Sequence, residues 1–248
     1  MVMSRTEEFK AGRPAAPSVI HLKMGAKRDG TLTAARLEVL MEGGAFPGAP
    51  VAAATNVGLG VYKIPNFKID GYDVLTNKPP VGAYRAPGAP QAVFAVEQHM
   101  DRLAQELEID PLEFRLQNVT EEGDRIPSDL MMQRVGFRTT LEAIKGHPIW
   151  KTPLKGPNRG RGLACGMWIG GIAPTSCAIK LNGDGSLGLI VGTVDMSGVR
   201  TAFTQIVADE FQLDPNQVEV TTLDTDSAPH SSLSAGSKTT YTMSIALK

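Results

Sequence analysis

The chain has 248 residues, 42% of them hydrophobic and 21% charged, with a formal net charge of -1 and a pI near 6.4. That is enough apolar material for one large or two small cores, and the lack of a basic excess argues against nucleic acid as the main partner, because nothing remains to neutralise phosphates. No apolar run approaches the ~18–20 residues a membrane span needs and no charged-then-apolar leader opens the chain, so a cytoplasmic location is expected.

In chain order, Ser18 to Lys27 and Thr31 to Glu42 read as strands joined at Arg28-Asp29-Gly30, a hairpin signal. Gly43-Gly44 and Pro47-Gly48-Ala49-Pro50 break the pattern, and Tyr72 to Thr76 reads as a further strand. Gly82 to Gln91 holds one arginine, Arg85, in a loop of small residues and prolines, which lets a bulky group approach the backbone beside a fixed cation. Pro90 suits the first turn of the helix that follows, whose apolar stripe is Val93, Val96, Met100, Leu103 and Leu107. Glu97 and Asp101, four apart, read as a solvated face. Asp110-Pro111-Leu112-Glu113 predicts a capping box opening a short helix.

Residues 119–160 lose periodicity and gather prolines, predicting a connector with one short helix over Thr139 to Lys145. Beyond it, Cys177 to Leu181 and Leu187 to Val194 read as a second hairpin around Asn182-Gly183-Asp184-Gly185, and Val199 to Phe211 as a helix with Phe203, Ile206, Val207 and Phe211 on one face. Val218 to Thr222 alternates as a strand. The expected fold is therefore α+β, two domains of antiparallel sheet with packed helices, and no internal repeat is visible. Cys165 and Cys177 are too far apart for a C-x-x-C motif and read as buried thiols. The four histidines have no ligand spacing, so no metal held by side chains is expected. Gly160-Arg161-Gly162-Leu163-Ala164-Cys165-Gly166 has the wrong spacing for a dinucleotide loop. The junction Asp195 to Thr201 suits either an anion at a helix start or an ordinary cap by Ser197.

The segment Gly82 to Asn118, with Y-R-A-P-G-A-P-Q, F-A-V-E-Q-H-M-D and D-P-L-E-F-R-L-Q-N in order, resembles the molybdenum hydroxylases, the large subunits of xanthine dehydrogenases and aldehyde oxidases. Similar stretches reach from Ser4-Arg5-Thr6-Glu7-Glu8-Phe9 to Asp224-Thr225-Asp226-Ser227-Ala228-Pro229 and the loop Ser231 to Thr240. The resemblance implies a molybdenum–pterin cofactor in the complete enzyme and hydroxylation of an aldehyde or N-heterocycle, with electrons leaving through iron–sulfur and FAD partners. It places Arg85, Met196, Ser197, Gly198, Thr201, Ser234, Gly236, Ser237 and Thr239 against the cofactor, and Ala86 and Pro87 at the substrate pocket. Ala86 stands where the carbon-monoxide-oxidising branch carries cysteine, which makes that substrate a poor candidate. By the same resemblance, residues 1–118 form the end of a first cofactor-binding domain and residues 161–248 the start of a second, the catalytic glutamate lying outside the chain. The chain is thus expected to be an internal fragment, inactive and free of cofactor alone, that works with the remainder of the large subunit. The alternative is a truncated or split non-catalytic binding module, with apolar surface re-buried in a homodimer.

Overall fold

The computed structural model describes residues 3–127, 129–222 and 224–248, and the chain divides into two units, Met1–Trp168 and Ile169–Lys248. In the first, β1 (Ser18–Ala26) and β2 (Leu32–Gly44) form the hairpin expected around Asp29-Gly30, in antiparallel register from Ser18↔Met41 to Ala26↔Leu32. A short helix α1 (Arg5–Ala11) precedes them, closed by a reciprocal box between Ser4 and Glu7. The helix α2 (Val51–Gly58) then carries the chain across to β3 (Asn66–Leu75), which lies parallel to β2. A parallel neighbour cannot be reached by a tight turn, and α2 supplies the crossover. Alternate β2 side chains Ala35, Leu37, Val39 and Met41 are buried on one face.

Helix α3 (Ala89–Glu106) covers that face and is followed by α4 (Pro111–Asn118), α5 (Phe137–Gly146) and one turn, α6 (Pro148–Lys151). Ala92, Val96, Met100 and Ala104 are the fully buried line of α3. This line is rotated from the expected stripe, for Val93, Leu103 and Leu107 are only half-buried. Small residues win the contact line because α2 comes close: a Cβ on Gly58 would meet that of Ala92 at 3.2 Å. Asp110 caps α4 through the amides of Leu112 and Glu113 at 2.8 and 3.1 Å. Glu113 does not close the expected box; its carboxylate pairs with Lys145 of α5 at 2.7 Å. Leu141 of α5 joins the first core, as do half-buried Leu163, Cys165 and Met167, so residues 137–168 include apolar side chains packed on this unit.

The second unit repeats the same topology without repeating the sequence. β4 (Cys177–Leu181) and β5 (Leu187–Val191) are antiparallel, α7 (Val199–Phe211) crosses over, and β6 (Val218–Thr222) lies parallel to β5. Leu187, Leu189 and Val191 face Phe203 and Val207 in a separate core, joined by Met243 and Leu247 of α8 (Thr239–Leu247). Phe211, expected on that face, is 49% exposed. The α+β reading with two sheet-and-helix units holds; the antiparallel pairing holds for the hairpins, while the third strand of each sheet is parallel. Strands β1 and β3 are the edges of the first sheet, β4 and β6 of the second.

Candidate functional site

The arginine loop of the first unit is anchored at both ends and bare in the middle. Val81 N donates to Gly43 O at 3.2 Å and Gly82 N to Pro14 O at 3.0 Å. At the far end Gly88, in the left-handed region, starts α3 against α2: a Cβ there would sit 2.4 Å from Pro50 O, so no other residue fits without moving backbone. Between these anchors Tyr84 is 69% exposed, Arg85 is exposed with no side-chain partner among the described residues, and Ala86 takes a positive φ of 52°. Ala86 and Pro87 are half-buried. A non-glycine residue at positive φ costs energy that the surrounding contacts must hold. The loop therefore presents one unneutralised guanidinium from a fixed backbone.

In the second unit three segments converge. Thr193, just past β5, shares a 2.7 Å hydrogen bond with the Ser231 hydroxyl, and Thr175 Oγ1 donates to Ser231 at 3.4 Å. Gly192 lies so close to the same loop that a Cβ would meet Pro229 O at 2.4 Å. Gly171 N donates to Gly236 O at 2.8 Å, tying the segment before β4 to the hydroxyl-rich loop. Lys238 is buried and inward-turned, its ammonium donating to Ser232 Oγ at 2.6 Å and Leu233 O at 2.9 Å. It braces the loop rather than offering a charge outward. Asp224 opens that loop, accepting from Ser227 Oγ at 2.8 Å and from the amides of Ser227 and Asp226 at 3.0 Å; these bonds, the Ser227 hydroxyl first, hold its carboxyl below the usual range.

The residues named from the sequence are mostly surface-facing. Met196, Ser197, Gly198, Thr201 and Ser237 are exposed, and Ser234, Gly236 and Thr239 half-buried. Ser197 and Gly198 both have positive φ, 57° and 79°, as do Gly236 and Ser237, 67° and 55°. Ser197 is not the helix cap: Gly198 holds that position, with no side-chain cap bond. Two features oppose an anion at this helix start. Asp195 Oδ1 accepts from Arg200 N at 3.4 Å, and the Arg200 guanidinium donates to Val220 O at 2.6 Å.

Sequence reasoning missed a tightly built, buried polar group. Glu97, read as solvation, is buried in the first unit and accepts from Tyr62 Oη at 2.5 Å, Arg115 Nε at 2.9 Å and Cys165 N at 2.8 Å. Asp101 pairs with Arg115 at 2.8 Å on the half-exposed side. Burial and then the Glu97 carboxylate push the Tyr62 phenol far above its ordinary range, so it stays protonated and donates. Burial opposes the Arg115 charge, but the Glu97 and Asp101 carboxylates outweigh it and hold the guanidinium above its ordinary value. The Cys165 thiol, half-buried as is Cys177, is raised by burial and next by Glu97. The signal was available: an arginine four residues after the proline of a capped helix, with two carboxylates four apart on the helix before it. Among the described residues no group of three or more His, Cys, Asp or Glu side chains is placed to hold a metal ion, and no helix is long and apolar enough to cross a membrane.

Known proteins match both units. Two models, each described as a molybdopterin cofactor-binding domain, match residues 1–119 and 138–248. The chain belongs to the molybdenum hydroxylase family, within its molybdenum-binding subunits. It is 33% identical to a putative xanthine dehydrogenase molybdenum-binding subunit of Escherichia coli over 99% of this chain and 35% of that protein. It is 30% identical to a probable hypoxanthine oxidase of the same organism over 91% of this chain and 26% of that protein. The chain thus spans between about a quarter and a third of the length of these relatives. Among solved structures, the aldehyde oxidoreductase of Desulfovibrio desulfuricans matches 94% of this chain and 28% of its own, with TM-score 0.80 and 25% identity. The fold is also that of quinoline 2-oxidoreductase from Pseudomonas putida, with TM-score 0.82 at 20% identity over 99% of this chain and 36% of that one.

Proposed function

We propose that the chain forms part of the cofactor-binding body of a molybdenum-dependent hydroxylase acting on an aldehyde or N-heterocycle. The observation that supports this best is the match of both units to molybdopterin cofactor-binding domains. The residues fit a pterin with polar oxygens. Positive φ at Ser197-Gly198 and Gly236-Ser237 keeps both turns compact, and Ser197, Thr201, Ser234, Ser237 and Thr239 supply hydroxyls on these two segments, those of Ser197, Thr201 and Ser237 on exposed residues. Uncharged donors suit such a group, since Lys238 and Arg200 are already committed to carbonyl and hydroxyl oxygens.

When bound, the molybdenum–pterin group supplies the redox chemistry that oxygenates the substrate carbon. Arg85 contributes a positive charge and a fork of N–H donors at a fixed place, stabilising negative charge near it. Ala86 and Pro87 form a smooth, non-polar border that orients a substrate by shape. The Thr193–Ser231 and Gly171–Gly236 bonds keep the donor loops in position before any ligand arrives. The iron–sulfur and FAD proteins and the rest of a large subunit are the partners this reading requires, in a cytoplasmic setting.

The test is to express the chain alone and together with the polypeptides encoded beside it, then measure molybdenum and pterin per mole. We expect neither in the isolated chain, and both in the assembly along with dye reduction by aldehydes or purines. An assembly that contains this chain at full stoichiometry and lacks pterin defeats the reading.

A further inference from the structure

We propose that Tyr62 is a positioning residue for the arginine loop: its hydroxyl, through Glu97, sets where α3 stands along α2 and so where Arg85 is held. The functional half of this rests on the cofactor reading of Arg85 given above. Helices α2 and α3 lie side by side and run the same way, meeting at matched steps. A Cβ on Gly88 would sit 2.4 Å from Pro50 O and 3.1 Å from Ala54 N, and one on Gly58 would meet the Ala92 Cβ at 3.2 Å. Beyond Gly58, on the segment that leaves α2, Tyr62 Oη donates to Glu97 Oε1 at 2.5 Å.

The contacts at Gly88 and Ala92 are made by glycine, alanine and backbone. Such a seam lets two helices approach closely, but it has no side chains that interlock, so it resists sliding along the axis only weakly. A hydrogen bond weakens steeply with distance and angle. The bond from Tyr62 is the directional contact of the three, and it fixes the register.

Both ends of that bond are held from elsewhere. Tyr62 is buried and bridged to Val119, with Thr120 N donating to Val61 O and Lys63 N to Asn118 O, each at 2.8 Å. Glu97 is held by Arg115 of α4 at 2.9 Å. Helix α4 and the residues just after it are thus the frame against which α3 is registered. At the other end of α3, Ala89 N donates to Ala86 O at 3.0 Å and Ala92 N to Gly88 O at 3.3 Å. The first turn therefore grips the residue next to Arg85, and an axial shift of α3 carries Arg85 with it. A misplacement of about 1 Å can cost about a hundredfold in rate, so a small slip suffices.

The test compares Tyr62→Phe, which deletes the hydroxyl and keeps the ring, with Leu141→Ala, which opens a cavity under α5. On the isotope-labelled full chain, Tyr62→Phe should quicken amide exchange about tenfold at Ala89 and Ala92 and leave the β1–β2 ladder unchanged. Leu141→Ala should not single out those two amides. In the assembled, cofactor-loaded enzyme Tyr62→Phe should lower kcat about tenfold at constant KM, and should add nothing in an Arg85→Ala background. Exchange at Ala89 and Ala92 that is unchanged, or that quickens no more than the β1–β2 ladder, overturns the proposal. So does a turnover loss that multiplies with that of Arg85→Ala, since Tyr62 would then act by another route. Full turnover in Arg85→Ala defeats the cofactor reading of Arg85 and the functional half of the proposal with it. The exchange result, measured without cofactor, still decides whether Tyr62 holds the loop.

Discussion

Arg115 and Glu97 meet at 2.9 Å with the guanidinium wholly shielded from solvent. The pair does more than join α4 to α3. Glu97 also holds Tyr62, beyond α2, and the backbone of Cys165, so one carboxylate ties four separate stretches of the first unit together. Since α3 begins at the arginine loop, whatever fixes this helix also fixes Arg85.

Removing one partner of a buried, hydrogen-bonded pair leaves the other charge uncompensated, at a cost of about 3–5 kcal/mol. Glu97→Ala should lose that much in urea denaturation, toward the lower end because Asp101 still reaches Arg115. Asp101→Ala, removing the half-exposed partner, should cost under about 1 kcal/mol. Equal losses in the two variants would mean that burial does not set the balance.

Much of the architecture was legible because it rests on local rules. The hairpin at Asp29-Gly30, the helix Val199–Phe211 and the strand Val218–Thr222 follow from turn chemistry and apolar period. What escaped depends on partners distant in sequence. Helix α2 is a run of alanines and small residues whose burial comes from Leu37 and Ala92, not from its own pattern. The parallel third strands depend on crossovers, and the Glu97 cluster on Arg115, 18 residues away. The loops of the candidate site were visible as compositions, whereas their fastening at Thr193–Ser231 and through Lys238 required coordinates.

Arg85→Ala should leave stability within about 0.5 kcal/mol, because the side chain is exposed and has no hydrogen-bond or ion-pair partner among the described residues. In an assembled, cofactor-loaded enzyme the same change should cut turnover with folding intact. Thermal unfolding and steady-state kinetics on the same preparations check both halves; unchanged turnover removes Arg85 from the site.

The Lys63–Glu121–Arg138 group gives a pH signature. Its bonds to Lys63 and then Arg138 hold the Glu121 carboxyl below its ordinary 4.5, while Glu121 and then Asp124 outweigh burial to hold Lys63 above its ordinary 10.5. The depressed carboxylate stabilises the fold above its unfolded pKa, and that contribution fades as pH falls through the folded value. The raised lysine acts in the opposite direction, its contribution fading as pH rises through its folded value. Glu121→Gln should therefore melt below the wild type at pH 7, and the gap should narrow progressively as pH falls below the ordinary 4.5. A gap independent of pH would assign the loss to packing.

Ser231→Ala removes the hydroxyl shared by Thr193 and Thr175. One such bond contributes about 1 kcal/mol, so global stability should fall by that order. Amide exchange should quicken over 228–238, while α7 and the β4–β5 hairpin keep their protection. Uniformly faster exchange across the second unit would show that the loop is not separately fastened.

Limited proteolysis should begin within residues 152–160. The wider segment 119–160 is not equally open: Glu121 and Asp124 are paired with Lys63, and Leu141 is buried in the first core. Residues 152–160 instead are exposed and have no helix or strand, with positive φ at Gly156 and Asn158. A protease needs exposed, locally unfolded chain, and here that conformation disrupts few contacts. The exception is Arg161, which donates to the carbonyls of Trp150 and Thr152 at 2.5 Å and should protect the bond after itself. Trypsin should therefore cut first after Lys155 or Arg159, giving fragments separated at that point by mass spectrometry. Arg161→Gln, by freeing both ends, should speed that cut without moving it. First cleavage inside α3 or α4 would mean that the Arg115 cluster does not hold the helices as the geometry requires.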